Sequence, residues 1–278
     1  MTSVTDISTP ILLRADCGLG QIDFVNCLPI TRVLRRERPE GVRLVMGSPG
    51  DLNRQYKEKT LDLGAMSSAY FLEDGEFELF PDLSISSKGP VGSVLFYSRA
   101  DLGGQKNLKI AVPQASASSV QLLKILLAQT YGMEAKVLPH ETPDLVDGVD
   151  GFLLFGDRAL TFDQSFIDQG LAATLLRLDL GQWWFEEYKL PMVFGVWAAR
   201  RSWIKANPDD YAAVSQFLRG SKGRWFGQDF EGALDEASKR TGLSRQRLEH
   251  YFRQELDYAF TDEHRRGLEL YDKICKEL

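Results

Sequence analysis

Along the first third of the chain, short runs that alternate apolar and polar residues take turns with apolar stripes at helical spacing. Leu19, Ile22, Phe24 and Val25 predict a strand, and Pro29 then opens a helix with the stripe Ile30, Val33 and Leu34. Val42 to Met46 reads as a second strand. Ser48-Pro49-Gly50-Asp51 has the serine cap and first-turn proline of a helix start, with the helix running to about Lys59. Leu61 to Met66 is a third strand, ending at Ser67-Ser68 and a short helix from Ala69 to Leu72. Strand, loop and helix repeated in this way predict an α/β sheet.

Beyond a loop at Ser86-Ser87-Lys88-Gly89-Pro90, the run Val91 to Ser98 is nearly all apolar or small, as in a strand covered on both faces. A second series follows: Leu108 to Val112, a serine-rich turn, a helix from about Ser118 to Tyr131, then Ala135 to Leu138 and Gly151 to Phe155. Met192 to Ala199 is a second long buried strand, and from Asn207 onward the pattern is helical, with stripes such as Leu248/Tyr251/Phe252 and Leu268/Tyr271/Ile274. No internal repeat and no low-complexity linker interrupts the chain. Two lobes without a linker are joined by strands that cross twice. The expected division is 1–97 plus 199–278 for one lobe and 98–198 for the other, with a cleft between them. Ligands of open α/β sheets sit beyond the carboxyl ends of the strands, so the loops around Asn26, Ser67, Ser116 and Gly156 are expected to converge there.

Composition narrows the function. Of 278 residues, 44% are hydrophobic and 26% charged, which is ordinary globular usage and excludes a disordered chain. The net charge of −6 offers no cationic field to nucleic acid or anionic lipid, so an anionic ligand must be held locally. The best apolar stretch, Leu190 to Ala199, is about half of what a membrane span needs. The start MTSVTDISTPILLRAD lacks a basic region ahead of its apolar patch, and three cysteines (Cys17, Cys27, Cys275) form no C-x-x-C, so a reducing cytoplasm is the expected setting.

Individual motifs remain two-sided at this level. Ser116-Ala117-Ser118-Ser119 between a strand and a helix is either a carboxylate-binding turn or a capped helix start. Asn26 and Ser67-Ser68, each after a strand, are either ligand contacts or turn formers. Gly156-Asp157 places either a carboxylate in the cleft or a tight turn. Gly18-Leu19-Gly20 lacks the third glycine of a dinucleotide fingerprint, because position 23 is Asp23. His140, His250 and His264 are scattered without ligand spacing, so neither a metal nor another cofactor is expected. No nucleophile stands with a base.

Five segments occur in an order that resembles the chorismate dehydratase family of menaquinone biosynthesis. They are Phe24 to Pro29, Gly89 to Val94, Ser116 to Val120, Gly156 to Leu160 and Leu190 to Arg200, and the resemblance runs from about Leu19 to the C-terminus. It implies a type II periplasmic-binding-protein-like fold used as a cytoplasmic enzyme, a hydro-lyase that removes water from chorismate to give 3-[(1-carboxyvinyl)oxy]benzoate without a cofactor. It puts Asn26 in the substrate site, as the catalytic position, with Ser93, Ser116, Ser118 and Ser119 as carboxylate and hydroxyl contacts. Ala117 stands where such proteins often carry Arg, and Glu187 and Lys189 stand where they carry Trp and Gly. The alternatives are the sister enzyme that makes 1,4-dihydroxy-6-naphthoate and a non-catalytic protein that binds small carboxylates.

Overall fold

The computed structural model describes residues 12–99, 102, 107–114, 117–143, 148–170 and 174–278. Ten strands and eleven α-helices appear among them. The strands are β1 (Leu12–Ile22), β2 (Glu40–Gly47), β3 (Leu63–Ser67), β4 (Phe77–Ser87), β5 (Val94–Ser98), β6 (Asn107–Pro113), β7 (Glu134–His140), β8 (Gly151–Phe155), β9 (Leu176–Asp179) and β10 (Met192–Arg200). The helices are α1 (Leu28–Glu37), α2 (Pro49–Lys57), α3 (Ser68–Asp74), α4 (Ala117–Tyr131), α5 (Gly156–Asp168), α6 (Leu180–Tyr188), α7 (Arg201–Ala206), α8 (Pro208–Arg224), α9 (Phe230–Thr241), α10 (Arg245–His250) and α11 (Asp262–Glu277).

Two five-stranded sheets share one plan. The first has the order β2-β1-β3-β10-β4 and the second β7-β6-β8-β5-β9. In each, the first three strands are parallel and the fourth is antiparallel to both of its neighbours. That fourth strand is the exchanged one: β5 arrives from the first sheet and β10 returns to it. No sequence repeat announces this symmetry. It lies in the order of pairing, and the two exchanged strands are buried, β5 throughout and β10 at all but Phe194. The expected lobe boundaries at 97/98 and 198/199 fall at the far ends of β5 and β10, whereas sheet membership changes ahead of each strand, between Ser87 and Val94 and between Asp179 and Met192.

Ser86 and Ser87 belong to β4 and not to the loop expected there, and the strand expected at Leu19 to Val25 ends at Ile22, giving way to a 3₁₀ turn over Val25–Cys27. The crossing segment after β4 is fixed by Asp179. Its carboxylate accepts the N–H groups of Val91 (3.1 Å) and Gly92 (2.8 Å) and also caps α6 through Gly181 (2.9 Å) and Gln182 (3.1 Å). Burial raises this carboxyl's pKa, against the lowering by those N–H donors. The C-terminal helices pack chiefly on the first half, α8 on β1 and β4 and α11 on β10, while α11 also touches α4 of the second. Among the described residues no helix is long and apolar enough to cross a membrane.

Candidate active site

One cavity lies between the sheets, with about 600 Å³ of atom-free space. Its wall comes from the carboxyl ends of the parallel strands: Ile22, Phe24, Asn26 and Cys27 after β1, Pro49 after β2, Ser67 at the end of β3, Ser118 and Ser119 after β6, and Phe155 and Gly156 at the end of β8. Ile85, Val94, Phe194 and Gly195 of β4, β5 and β10 close it, with Val91 and Ser93 of the crossing segment before β5. Phe24 and Phe155 meet edge to face at 5.4 Å. Gly156, at φ +63°, lets the backbone pass the Phe24 ring, where a Cβ would stand 3.4 Å from it, and donates its N–H to the Ser93 carbonyl at 2.8 Å.

Among the described residues, no Lys, Arg, His, Asp or Glu lines the cavity. Five helices begin at its wall instead: α1 behind Cys27, α2 at Pro49, α3 capped by Ser67, α4 with Ser118 and Ser119 in its first turn, and α5 at Phe155–Gly156. Their amino ends carry partial positive charge, with serine hydroxyls already taking the N–H groups of Asp51, Ala69 and Tyr70, and the four serine hydroxyls add donors, so the wall suits an anion without a counter-ion. These hydroxyls are buried, with Ser67 8%, Ser93 2%, Ser118 4% and Ser119 5% exposed. The Cys27 thiol is pushed far up by burial, then by the charges of Asp157 and Asp23, and stays neutral.

One end of the Asn26 side chain, Oδ1, is buried without a hydrogen-bond partner. A buried acceptor left empty costs about 1–3 kcal/mol, and a ligand hydroxyl relieves it. The Asn26 carbonyl is fixed from behind, accepting the Tyr258 hydroxyl at 2.9 Å. Two further tyrosines do the same for other wall residues: Tyr251 donates to Ser93 Oγ at 2.9 Å and Tyr271 to the Ser118 carbonyl at 3.1 Å. Ser118 Oγ accepts the N–H of Ala69 at 2.9 Å, joining α4 to α3 across the two halves.

Of the residues singled out in the sequence, Asn26, Ser67, Ser93, Ser118, Ser119 and Gly156 meet at the cavity. Ser116 lies outside the described residues. Two stand apart from the lining. Ser68 donates its hydroxyl to the Val193 carbonyl at 2.7 Å and is wholly buried beneath the wall. Asp157 turns away to accept the Val25 N–H at 2.8 Å and pair with Arg240 at 2.7 Å. Burial raises the Asp157 carboxyl's pKa, opposed by those two partners. The apolar wall (Phe24, Ile85, Phe155, Phe194) and the three bracing tyrosines were not singled out as site residues, because in a sequence they read as core.

The fold and this cavity define a two-sheet α/β protein with a partly apolar, hydroxyl-lined cavity between its halves. A family described as menaquinone biosynthesis matches residues 17–277, and the chain belongs to it. A chorismate dehydratase of Thermus thermophilus is 31% identical over 243 residues, covering 84% of this chain and 86% of that protein. Among solved structures, the protein AF1704 of Archaeoglobus fulgidus superposes with a TM-score of 0.71 at 19% identity, over 94% of this chain and 97% of its own. The Candida albicans CA3427 gene product, described as having the generic periplasmic binding protein fold, superposes with a TM-score of 0.66 at 11% identity, over 95% and 90%. This chain therefore has the periplasmic-binding-protein fold.

Proposed function

We propose that this protein is a chorismate dehydratase, a cytoplasmic hydro-lyase that converts chorismate to 3-[(1-carboxyvinyl)oxy]benzoate and water. The observation that carries the reading is the empty, buried Oδ1 of Asn26 in a cavity of hydroxyls and helix amino ends. That combination suits a ligand with two carboxylates, one hydroxyl and a flat apolar ring. The relative's activity and the family assignment support the same reaction.

The chemistry follows from the substrate. The C3 proton is vinylogous to the ring carboxylate, so the charge that develops as it leaves spreads onto that group. Donors fixed on the carboxylate then bind the transition state better than the ground state. The serine hydroxyls and the amino ends of α4 and α5 supply such donors. The C3–H bond breaks first, and the C4–O bond then breaks as the C3 proton, carried on the enolpyruvyl carboxylate, is handed to the C4 hydroxyl, which departs as water; the Asn26 amide positions that hydroxyl. Among the described residues no ionisable acid or base lines the cavity, so the proton passes to the substrate's own enolpyruvyl carboxylate, and gain of the aromatic ring drives the elimination. The test is incubation of the purified protein with chorismate, followed by mass spectrometry and proton NMR. Loss of one water with new aromatic signals supports the reading; binding without conversion makes the protein a carboxylate binder instead.

A further inference from the structure

We propose that Tyr251 is a positioning residue of this reaction, whose phenol orients the Ser93 hydroxyl as a donor into the cavity. The inference rests on reading the cavity as the chorismate site.

Tyr251 is wholly buried and opens a five-residue π-helical turn, Tyr251–Glu255, between α10 and Leu256. Such a turn shifts the side chains that follow it relative to a regular helix, and π-turns are frequent at functional sites. The phenol donates to Ser93 Oγ at 2.9 Å, across 158 residues of sequence. Ser93 has one proton and two lone pairs, and with one pair taken by the phenol its proton must point elsewhere. The protein acceptor within reach is the carbonyl of Val91, two residues back, at the long distance of 3.2 Å. A carboxylate in the cavity is a stronger acceptor and draws that proton inward, and a chain of two hydroxyls polarises each member. Burial raises the Tyr251 phenol's pKa well above its ordinary value, so it remains a donor at every working pH.

Tyr258 and Tyr271 are the internal contrast. Both brace the cavity wall, but each donates to a backbone carbonyl, of Asn26 and of Ser118, and so fixes a main-chain position without ordering a side-chain proton.

The experiment is a double-mutant cycle between Tyr251→Phe and Ser93→Ala, read as kcat and KM with chorismate alongside thermal stability. Tyr251→Phe is expected to lower kcat about 5- to 30-fold, the scale of one hydrogen bond to a charge-bearing chain, with KM changed less than about threefold. In the Ser93→Ala background the same change is expected to alter kcat less than about twofold. An equal loss in both backgrounds, or full kcat in Tyr251→Phe, overturns the proposal. Should the phenylalanine variant not fold, 3-fluorotyrosine at position 251 keeps the packing and strengthens the donor: kcat must then change when Ser93 is present and not when it is alanine. A wild-type protein that neither binds nor dehydrates chorismate overturns the functional reading and this inference together; an active wild type with additive variants overturns the role of Tyr251 alone.

Discussion

The carboxylate of Asp157, in the first turn of α5, accepts the backbone N–H of Val25 at 2.8 Å, one residue before Asn26. With its other oxygen it holds Arg240 of α9 at 2.7 Å, and Arg240 also pairs with Asp23 at 2.8 Å. Asp157, which the sequence leaves open between a cleft carboxylate and a tight turn, is a clasp between the two halves of the molecule. It bears on how the cavity closes, because α5 belongs to the second sheet and Val25 and Arg240 to the first.

Asp157→Ala is therefore expected to raise KM for chorismate about 10- to 100-fold, the loss of hydrogen bonds to a charge, and to lower kcat less. Steady-state kinetics checks this directly. An unchanged KM would mean that the clasp contributes nothing to the closed cavity.

Asn26→Leu keeps the side chain's size and removes its hydrogen bonding. It is expected to lower kcat by at least about a hundredfold, the scale of one lost hydrogen bond to the reacting group in the transition state. Ser119→Ala, which takes one hydroxyl from the first turn of α4, is expected to lose about 10- to 150-fold in kcat/KM. Rates are to be compared per folded molecule, since a drop in melting temperature with full activity would make either residue structural.

The three histidines, alike in the sequence, separate in the structure. His140 accepts the Thr142 N–H at the end of β7, and His250 is exposed beside Glu255. His264 is wholly buried, completes the capping box of α11 with Thr261 and meets Asp257 at 3.2 Å. None lines the cavity. A His140→Gln, His250→Gln double variant should keep kcat within about threefold, whereas His264→Gln should cost about 1–3 kcal/mol of stability in denaturant unfolding. A folded but inactive double variant would restore a conventional protein base.

How far these features could be read from the chain depends on whether their signal is local. Helix starts at Pro29 and Ser48-Pro49 are written within a few residues and match α1 and α2. The strand β4 was missed because Pro81 and Asp82, the latter at φ +64°, punctuate its pattern, which an edge strand tolerates. The serines and Asn26 were legible because they stand at strand ends. Tyr251, Tyr258 and Tyr271 were not, because each partner is 153 to 232 residues away and a tyrosine in an apolar stripe looks like core.

Acid should loosen the helical layer over α1. Asp229 takes two hydrogen bonds from Arg32, at 2.7 and 2.9 Å, and this pairing holds its carboxyl below the ordinary range despite partial burial. With the folded pKa below the unfolded value of about 3.9, the unfolded chain binds more protons in acid. The stabilisation is thus fully present above about pH 4 to 5 and lost as pH falls through the folded value. Asp229→Asn should flatten this part of the acid limb of a melting-temperature profile, the two proteins differing most near neutrality and converging as pH falls below the folded value. Parallel profiles would show that the pair carries no proton-linked stability.

The crossing segment before β5 offers a test in which backbone strain and crowding can be separated. Gly92 sits at φ +62°, and a Cβ there would stand 2.2 Å from Glu255 Oε2 and 2.8 Å from Glu255 Cδ. Glu255 cannot swing away freely, because it is held by Arg247 at 3.0 Å in a partly buried pair. Gly75, after α3, has nearly the same backbone, φ +67°, with nothing within 4 Å of its missing Cβ. Gly75→Ala should therefore cost only the left-handed penalty of about 1–2 kcal/mol, whereas Gly92→Ala adds an overpacking cost of about 1–3 kcal/mol. Since Gly92 adjoins Ser93, the second variant should also lose turnover at temperatures where it remains folded. Urea unfolding of both variants measures the difference, and equal losses would show that the Glu255–Arg247 pair yields without cost and does not hold the segment in place.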